Sequence, residues 1–175
     1  QLLAGQGSAV APLFIGRKRP QGRHTHRAAF FVNGYQQTTL EAVARQLNVT
    51  KPFIYYHFKD KEELLYEISQ RAVRDANKTL EVALDREGTP TQRLHWATKT
   101  LMKAIIERQR YTAVFFREQK NLSEQSRGPV YALHHEYDKL LIKLLDEGVR
   151  KGEFVVADTH LCALGLSGMT GWTYN

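Results

Sequence analysis

Apolar residues recur along this chain with a helical period and nowhere with sustained strand alternation. Leu40, Val43, Ala44 and Leu47 fall at i, i+3, i+4 and i+7, one face of a helix. Either Thr38 or Thr39 caps it, and Gly34 stops the helix before it, RAAFFVNGY. Asn48 and Val49 form a tight turn. Thr50 then caps a short helix over 51–57, with Pro52 in the first turn, where a missing N–H costs little. Lys59 and Asp60 break that helix. Asp60 caps a long one over 61–86, whose Glu62 and Glu63 suit its positive N-terminus. Helices are expected over 91–109, 111–122 and 129–151, the last stopped by Gly152, and Asp158 caps a final one. With no internal repeat, the fold class is all-α.

Two short helices about a tight turn, LEAVARQL-NV-TKPFIYYHF, read as a helix-turn-helix unit. In such a unit the second helix enters the DNA major groove, led by its N-terminal residues. That explains a segment rich in both rings and cations. Val49, Ile54 and Phe58 point inward and hold the helices together; Lys51, Pro52, Tyr55, Tyr56 and His57 point outward. The alternative is a hydrophobic hairpin with its tyrosines half-buried. The candidate DNA-binding set is Thr39, Thr50, Lys51, Pro52, Phe53, Tyr55, Tyr56, His57 and Lys61. Lys51 can reach a base edge, and Lys61 can meet phosphate beside a helix N-terminus.

Charge sharpens this picture. Residues 1–61 hold nine Lys/Arg against two Asp/Glu, while the remainder is balanced, so the whole net charge of +7 sits in the first third. A basic segment on a neutral body suits a polyanion-binding head, or else a basic tail with no partner. The 175 residues, 42% hydrophobic, suffice for a core. No apolar run approaches the ~18 residues of a membrane span. The lone Cys162 excludes an intrachain disulfide framework and fits a reducing, cytoplasmic setting. Residues 1–24 lack any sustained period and read as a disordered arm, a vector remnant or a mis-framed translation; RKR follows APLFIG, the reverse of a signal peptide. The chain starts at Gln1 and stops in an apolar pattern, as a fragment or trimmed chain would.

The run FFVNGYQQTTLEAVARQLNVTKPFIYYHFKDKEELL resembles the DNA-binding head of the TetR family of bacterial transcription regulators. The matching positions include Phe30, Gly34, Tyr35, Thr38, Thr39, Val43, Ala44, Lys51, Tyr55, His57, Phe58 and Lys61, and the later helices fit in order and length. The resemblance implies a three-helix head at 25–70 and a helical ligand-binding and dimerisation domain at 71–175. It also implies a homodimer on a pseudo-palindromic double-stranded operator, acting as a repressor. Two departures stand out. Gly22, Thr25, His26 and Arg27 occupy positions that are apolar in the family's first helix, and Asn48 replaces its usual Gly. The family also usually ends in two dimerising helices, and this chain stops within or just after the first, so the fold is expected to be C-terminally truncated.

Large apolar side chains fill the later helices. Trp96, Met102, Phe115, Phe116, Tyr137 and Trp172 are candidate pocket liners, with His134 and Tyr137 as polar orienters; plain core is the alternative for each. GVRKGEF before an apolar helix ending GMTGWTY resembles the subgroup that senses acyl-coenzyme A or fatty or steroid-derived acids, which would set Arg110, Arg117 or Lys120 against phosphate or carboxylate. Gly165, Gly168 and Gly171, three apart, suit a close helix approach or a frayed end. Neither His24-x-His26 nor His134-His135 makes a metal site, and no phosphate loop, nucleophile elbow or carboxylate pair appears. No cofactor, metal or enzymatic activity is expected. A helical binding protein with a disabled DNA head is the alternative function.

Overall fold

The computed structural model describes residues 35–107 and 109–172, without the side chains of Gln46, Arg110, Tyr111 and Phe115. The expected arm at 1–24 and the distinctive positions of the first helix, from Gly22 to Gly34, lie outside the described residues. Every regular element described is helical. Residues 35–37 are helical. There follow α1 (Leu40–Leu47), α2 (Lys51–His57), α3 (Lys61–Asp85), α4 (Pro90–Glu107) and α5 (Gln109–Glu118). A 3-10 turn (Gln119–Asn121), α6 (Glu124–Arg150) and α7 (Thr159–Trp172) follow among the described residues. No described helix is long and apolar enough to cross a membrane.

The described residues fall into two compact units. One holds the chain up to Ser69 together with Arg110–Arg127; the other holds Gln70–Gln109 and the residues from Gly128 on. The sequence boundary at 70/71 lies beside this division. Residues 110–127, expected in the second domain, group instead with the first. In the first unit Leu40, Val43, Ala44, Ile54, Phe58 and Leu64 are buried. In the second, Leu80, Ala83, Ala97, Leu141, Leu144, Leu145 and Ala163 form a core drawn from α3, α4, α6 and α7.

Two helices depart most from their expected bounds. The 129–151 helix begins earlier, at Glu124, so that Pro129 lies inside it. The cause is a cap: Ser123 Oγ accepts the Ser126 N–H at 3.3 Å, which starts the helix upstream of the Gly128-Pro129 pair. Pro129, the sixth residue of this helix, has no N–H to give the ladder, so one bond of the second turn is missing. The 111–122 helix starts at Gln109 and ends at Glu118, where the 3-10 turn replaces its last turn.

The stop of α6 is built from glycine. Gly152 takes φ +71°, and its N–H donates to the Val149 carbonyl at 3.0 Å. The Gly148 carbonyl accepts from the N–H groups of both Glu153 (2.9 Å) and Phe154 (3.2 Å). The chain therefore folds straight back and lays the Phe154 ring on Gly148, where a Cβ would collide with the ring carbons.

Arg93 is buried in the second unit, and both its terminal nitrogens are engaged. Its Nη1 donates to the Leu84 carbonyl at 2.9 Å, satisfying the C-terminus of α3, and its Nη2 meets Glu147 Oε1 at 2.5 Å. Lys151 Nζ shares that oxygen at 2.9 Å. The Lys151 and Arg93 hydrogen bonds hold the Glu147 carboxyl at about 2, well below its ordinary 4.5. Arg93→Met leaves a carbonyl and part of a carboxylate without their donor, an expected loss of about 1–2 kcal/mol. Because the Glu147 pKa is depressed, its contribution is present above 4.5 and lost as pH falls toward 2. Thermal melts between about pH 7 and pH 2.5 should show a smaller acid-induced drop in Arg93→Met than in the native chain; equal drops would contradict this assignment.

Candidate nucleic-acid interface

The local chemistry of α1 and α2 fixes where their side chains stand. Thr39 is the cap residue of α1: its Oγ1 accepts the Ala42 N–H at 3.2 Å, while Thr38 is buried. Glu41, in the first turn, lies near the positive helix end. At the other end Asn48 adopts φ 55°, ψ 42°. The N–H groups of Asn48 and Val49 donate to the Arg45 and Ala44 carbonyls at 3.2 and 3.0 Å, closing a Schellman turn. Asn tolerates this left-handed conformation, so the family's usual Gly is not required. Thr50 Oγ1 then accepts the Phe53 N–H at 3.3 Å and starts α2 with Pro52 in its first turn. Ile54 and Phe58 are almost completely buried, each 1% exposed, and pin α2 in place.

On the outward face Lys51, Pro52, Phe53, Tyr55 and Tyr56 are exposed. Of these rings Tyr56 is the most open, at 71%. His57 differs from its expected outward position. It is half-buried among rings, edge-on to Phe53 (4.8 Å between centroids) and Tyr56 (5.0 Å), and its Nδ1 lacks a hydrogen-bond partner. Burial of the apolar ring face against its neighbours accounts for the difference.

Glu41 escaped the sequence reading. Its Oε1 accepts from Lys51 Nζ at 2.8 Å and from the Tyr55 hydroxyl at 2.9 Å. The Lys51 ammonium also sits 5.5 Å from the Tyr55 ring centroid. The Lys51 hydrogen bond, a backbone hydrogen bond and the Tyr55 hydroxyl hold the Glu41 carboxyl at about 2, and the same carboxylate raises Lys51 and Tyr55. The pairing spans the turn, so helical spacing within either element gives no sign of it.

Lys61 has a definite structural engagement. Its ammonium donates to the Tyr35 and Gln36 carbonyls at 3.0 and 3.2 Å and lies 4.4 Å from the Tyr35 ring centroid. It thereby satisfies the last carbonyls of the preceding helix. Lys61→Ala should lower stability by about 1 kcal/mol, read as a reduced midpoint in urea; an unchanged midpoint would show that these carbonyls find water at no cost. Beside it, Asp60 Oδ1 accepts the Glu63 N–H at 2.9 Å, and Glu63 Oε2 accepts the Lys59 N–H at 2.6 Å, a reciprocal cap. Glu62 reaches the start of α6, accepting from the Ser123 N–H (3.0 Å) and the Ser126 hydroxyl (2.9 Å).

The pocket candidates are scattered in character. Trp96 and Tyr137 pack against the core of the second unit, and the Arg86 guanidinium lies over the Trp96 ring at 5.1 Å. Burial raises the Tyr137 hydroxyl pKa, opposed by hydrogen bonds with Ser167 and Thr170. His134 is half-buried, and burial lowers its imidazole pKa against the pull of Asp138. Met102 is half-buried, as is Phe116 in the first unit. Trp172 is 76% exposed. The side chains of Phe115 and Arg110 lie outside the description, while Arg117 and Lys120 are both exposed, in the first unit. No cluster of three or more His, Cys, Asp or Glu that could hold a metal occurs among the described residues.

The fold and this outward face define a helix-turn-helix protein with a helical second unit. Residues 27–68 match "Bacterial regulatory proteins, tetR family", and residues 87–175 match the "Tetracyclin repressor-like, C-terminal domain". The chain belongs to the TetR family, a family of regulators rather than enzymes. It is 25% identical over 126 residues to the HTH-type transcriptional repressor KstR2 of Mycolicibacterium smegmatis, covering 71% of this chain and 62% of that protein. The chain thus spans about three fifths of that relative's length. It is 24% identical over 140 residues to the fatty acid metabolism regulator protein of Bacillus subtilis, covering 78% and 72% of the two. Among solved structures, the TetR-family transcriptional regulator PfmR from Thermus thermophilus superposes with a TM-score of 0.77 at 28% identity, covering 85% of this chain and 82% of that one.

Proposed function

We propose that the protein is a ligand-responsive, DNA-binding transcriptional repressor. The observation that carries this reading is the outer face of α2, where Lys51, Tyr55 and Tyr56 stand exposed on a helix pinned by Ile54 and capped by Thr50. Donors placed at the start of a second helix suit base edges and phosphates in a major groove. The chain's whole net positive charge lies in the segment that contains this face. Thr39, Thr50, Pro52 and Phe53 complete the surface, with His57 half-buried among its rings and Lys61 at its border.

A homodimer fits the rest. Leu161, Leu164, Met169 and Trp172 leave α7 with an apolar flank on water, and Gly165 and Gly168 open the same helix to close approach. Two copies related by a two-fold axis would read half-sites about 34–36 Å apart. The effector is a hydrophobic acid or its coenzyme A thioester. A relative named as a fatty acid metabolism regulator and the largely aliphatic and aromatic helical body of the second unit support that class. Such an effector releases DNA only by preferring one conformation, and a coupling of about 1–3 kcal/mol is enough.

The test is a salt-titrated binding assay with duplexes selected from a random-sequence pool. Affinity should fall linearly in log–log form as salt rises, with a slope set by the phosphates engaged. Retention of affinity for the selected duplex over random DNA across that range supports a sequence reader. Binding to no duplex at low salt would favour the alternative, a helical small-molecule-binding protein without a working DNA head.

A further inference from the structure

We propose that Glu41 is a positioning residue for DNA reading: its carboxylate holds Lys51 and Tyr55 in one arrangement on the face of α2, and selectivity between sequences depends on that arrangement. The inference rests on the DNA-binding reading above. A single oxygen, Glu41 Oε1, receives both the Lys51 ammonium (2.8 Å) and the Tyr55 hydroxyl (2.9 Å). Lysine carries a flexible four-carbon stem with three donors, so an unrestrained Lys51 would sample many directions from the start of the helix. Spending one donor on Glu41 leaves two for a base or phosphate and removes most of that freedom in advance. The Tyr55 hydroxyl donates its one proton to Glu41 and keeps its lone pairs. The Tyr55 ring lies beneath the ammonium, at 5.5 Å, and restricts Lys51 from a second side. The two reading residues are thus coupled through α1, and their separation is set by the turn at Asn48 and the cap at Thr50.

Electrostatics argues that the carboxylate is there for geometry. A negative charge on a face that meets a polyanion weakens attraction to every duplex alike. Its own pair with Lys51 is exposed and screened, as surface pairs are, and adds little to folding. What Glu41 alone supplies is the fixed placement of two groups, the Lys51 ammonium as a donor and the Tyr55 hydroxyl oxygen as an acceptor. Charge and placement can be separated by substitution. Glu41→Gln removes the charge and keeps an Oε1 acceptor for both partners; Glu41→Ala removes both.

The experiment uses the full chain and two duplexes of equal length: one selected by the native protein from a random-sequence pool, the other a scramble of it. Both variants should bind the scramble more tightly than the native chain at low salt, by a similar factor, because both lose the same charge. The ratio of affinities, selected over scrambled, should fall about tenfold in Glu41→Ala and stay within about threefold of native in Glu41→Gln. A native ratio in Glu41→Ala would overturn the inference and leave the DNA-binding reading standing. An equal loss in both variants would also overturn it, since charge and not placement would then set selectivity. If the native chain prefers no duplex over its scramble, the DNA-binding reading itself fails and the inference falls with it. The Glu41→Gln arm also guards against a fold defect, since that side chain retains size and acceptor.

Discussion

Gly148→Ala is expected to destabilise the second unit by about 3 kcal/mol, at the upper end for overpacking by one methyl group. The reason is local and severe. Gly148 is buried in α6, and its added Cβ would overlap carbons of the Phe154 ring. That ring cannot easily withdraw, because the Phe154 N–H is tied to the Gly148 carbonyl at 3.2 Å and the turn between them is held by Gly152 at φ +71°. Phe154 also packs on the core that includes Leu141, Leu144 and Leu145. Alanine favours helix more than glycine does, by about 1 kcal/mol, so the collision must outweigh a propensity gain. In a chain of this length the melting temperature should drop by about 6–12 °C. The companion variant Gly148→Ala/Phe154→Ala removes the collision, and its loss should be clearly smaller than the sum of the two single losses. Simple additivity would mean that the ring finds another resting place and that the contact is not the cause.

Lys51→Ala should lower affinity for a selected duplex about 10- to 100-fold and relax preference at the base pairs nearest the start of α2. The substitution touches the first donor of the helix and should barely move thermal stability, because Lys51 is exposed and its pair with Glu41 is a surface one. Tyr55→Phe makes the informative comparison. It keeps the ring and deletes the hydroxyl that donates to Glu41, so it should lower affinity for the selected duplex, and its ratio over a scramble, by a smaller factor than Lys51→Ala. Measured by fluorescence anisotropy at two salt concentrations, Lys51→Ala should change both the affinity ratio and the salt slope. An unaltered ratio would remove Lys51 from base reading and leave it a phosphate contact.

What the sequence discloses follows the range over which each feature is decided. The caps at Thr39, Thr50 and Asp158 act on backbone N–H groups two or three residues away, and all three are legible at those residues or, for Thr39, as one of an adjacent pair. The left-handed turn at Asn48 is equally local. Burial of Ile54 and Phe58 follows from helical spacing alone. Pro129 misleads because the start of α6 is settled upstream at Ser123, whose N–H donates to Glu62, far away in sequence. Lys61 looks free for phosphate because its carbonyl partners, on Tyr35 and Gln36, belong to the end of another helix. Glu41 is hidden for the same reason: its partners lie across the turn. Trp172 groups with pocket liners on composition, yet its place on α7 exposes it, and the mostly apolar helix carries no strong period that distinguishes one flank from another.

The exposed flank of α7 has a consequence for dosage. Any partner that covers Leu161, Leu164, Met169 and Trp172 recognises the folded chain and not the unfolded one, so stability becomes a function of how much protein is present. If that partner is a second copy, a dilution series of melting curves reads out the association constant without any DNA. A cell that makes less of the protein would then lose occupied operator faster than in proportion, a threshold written into one helix face.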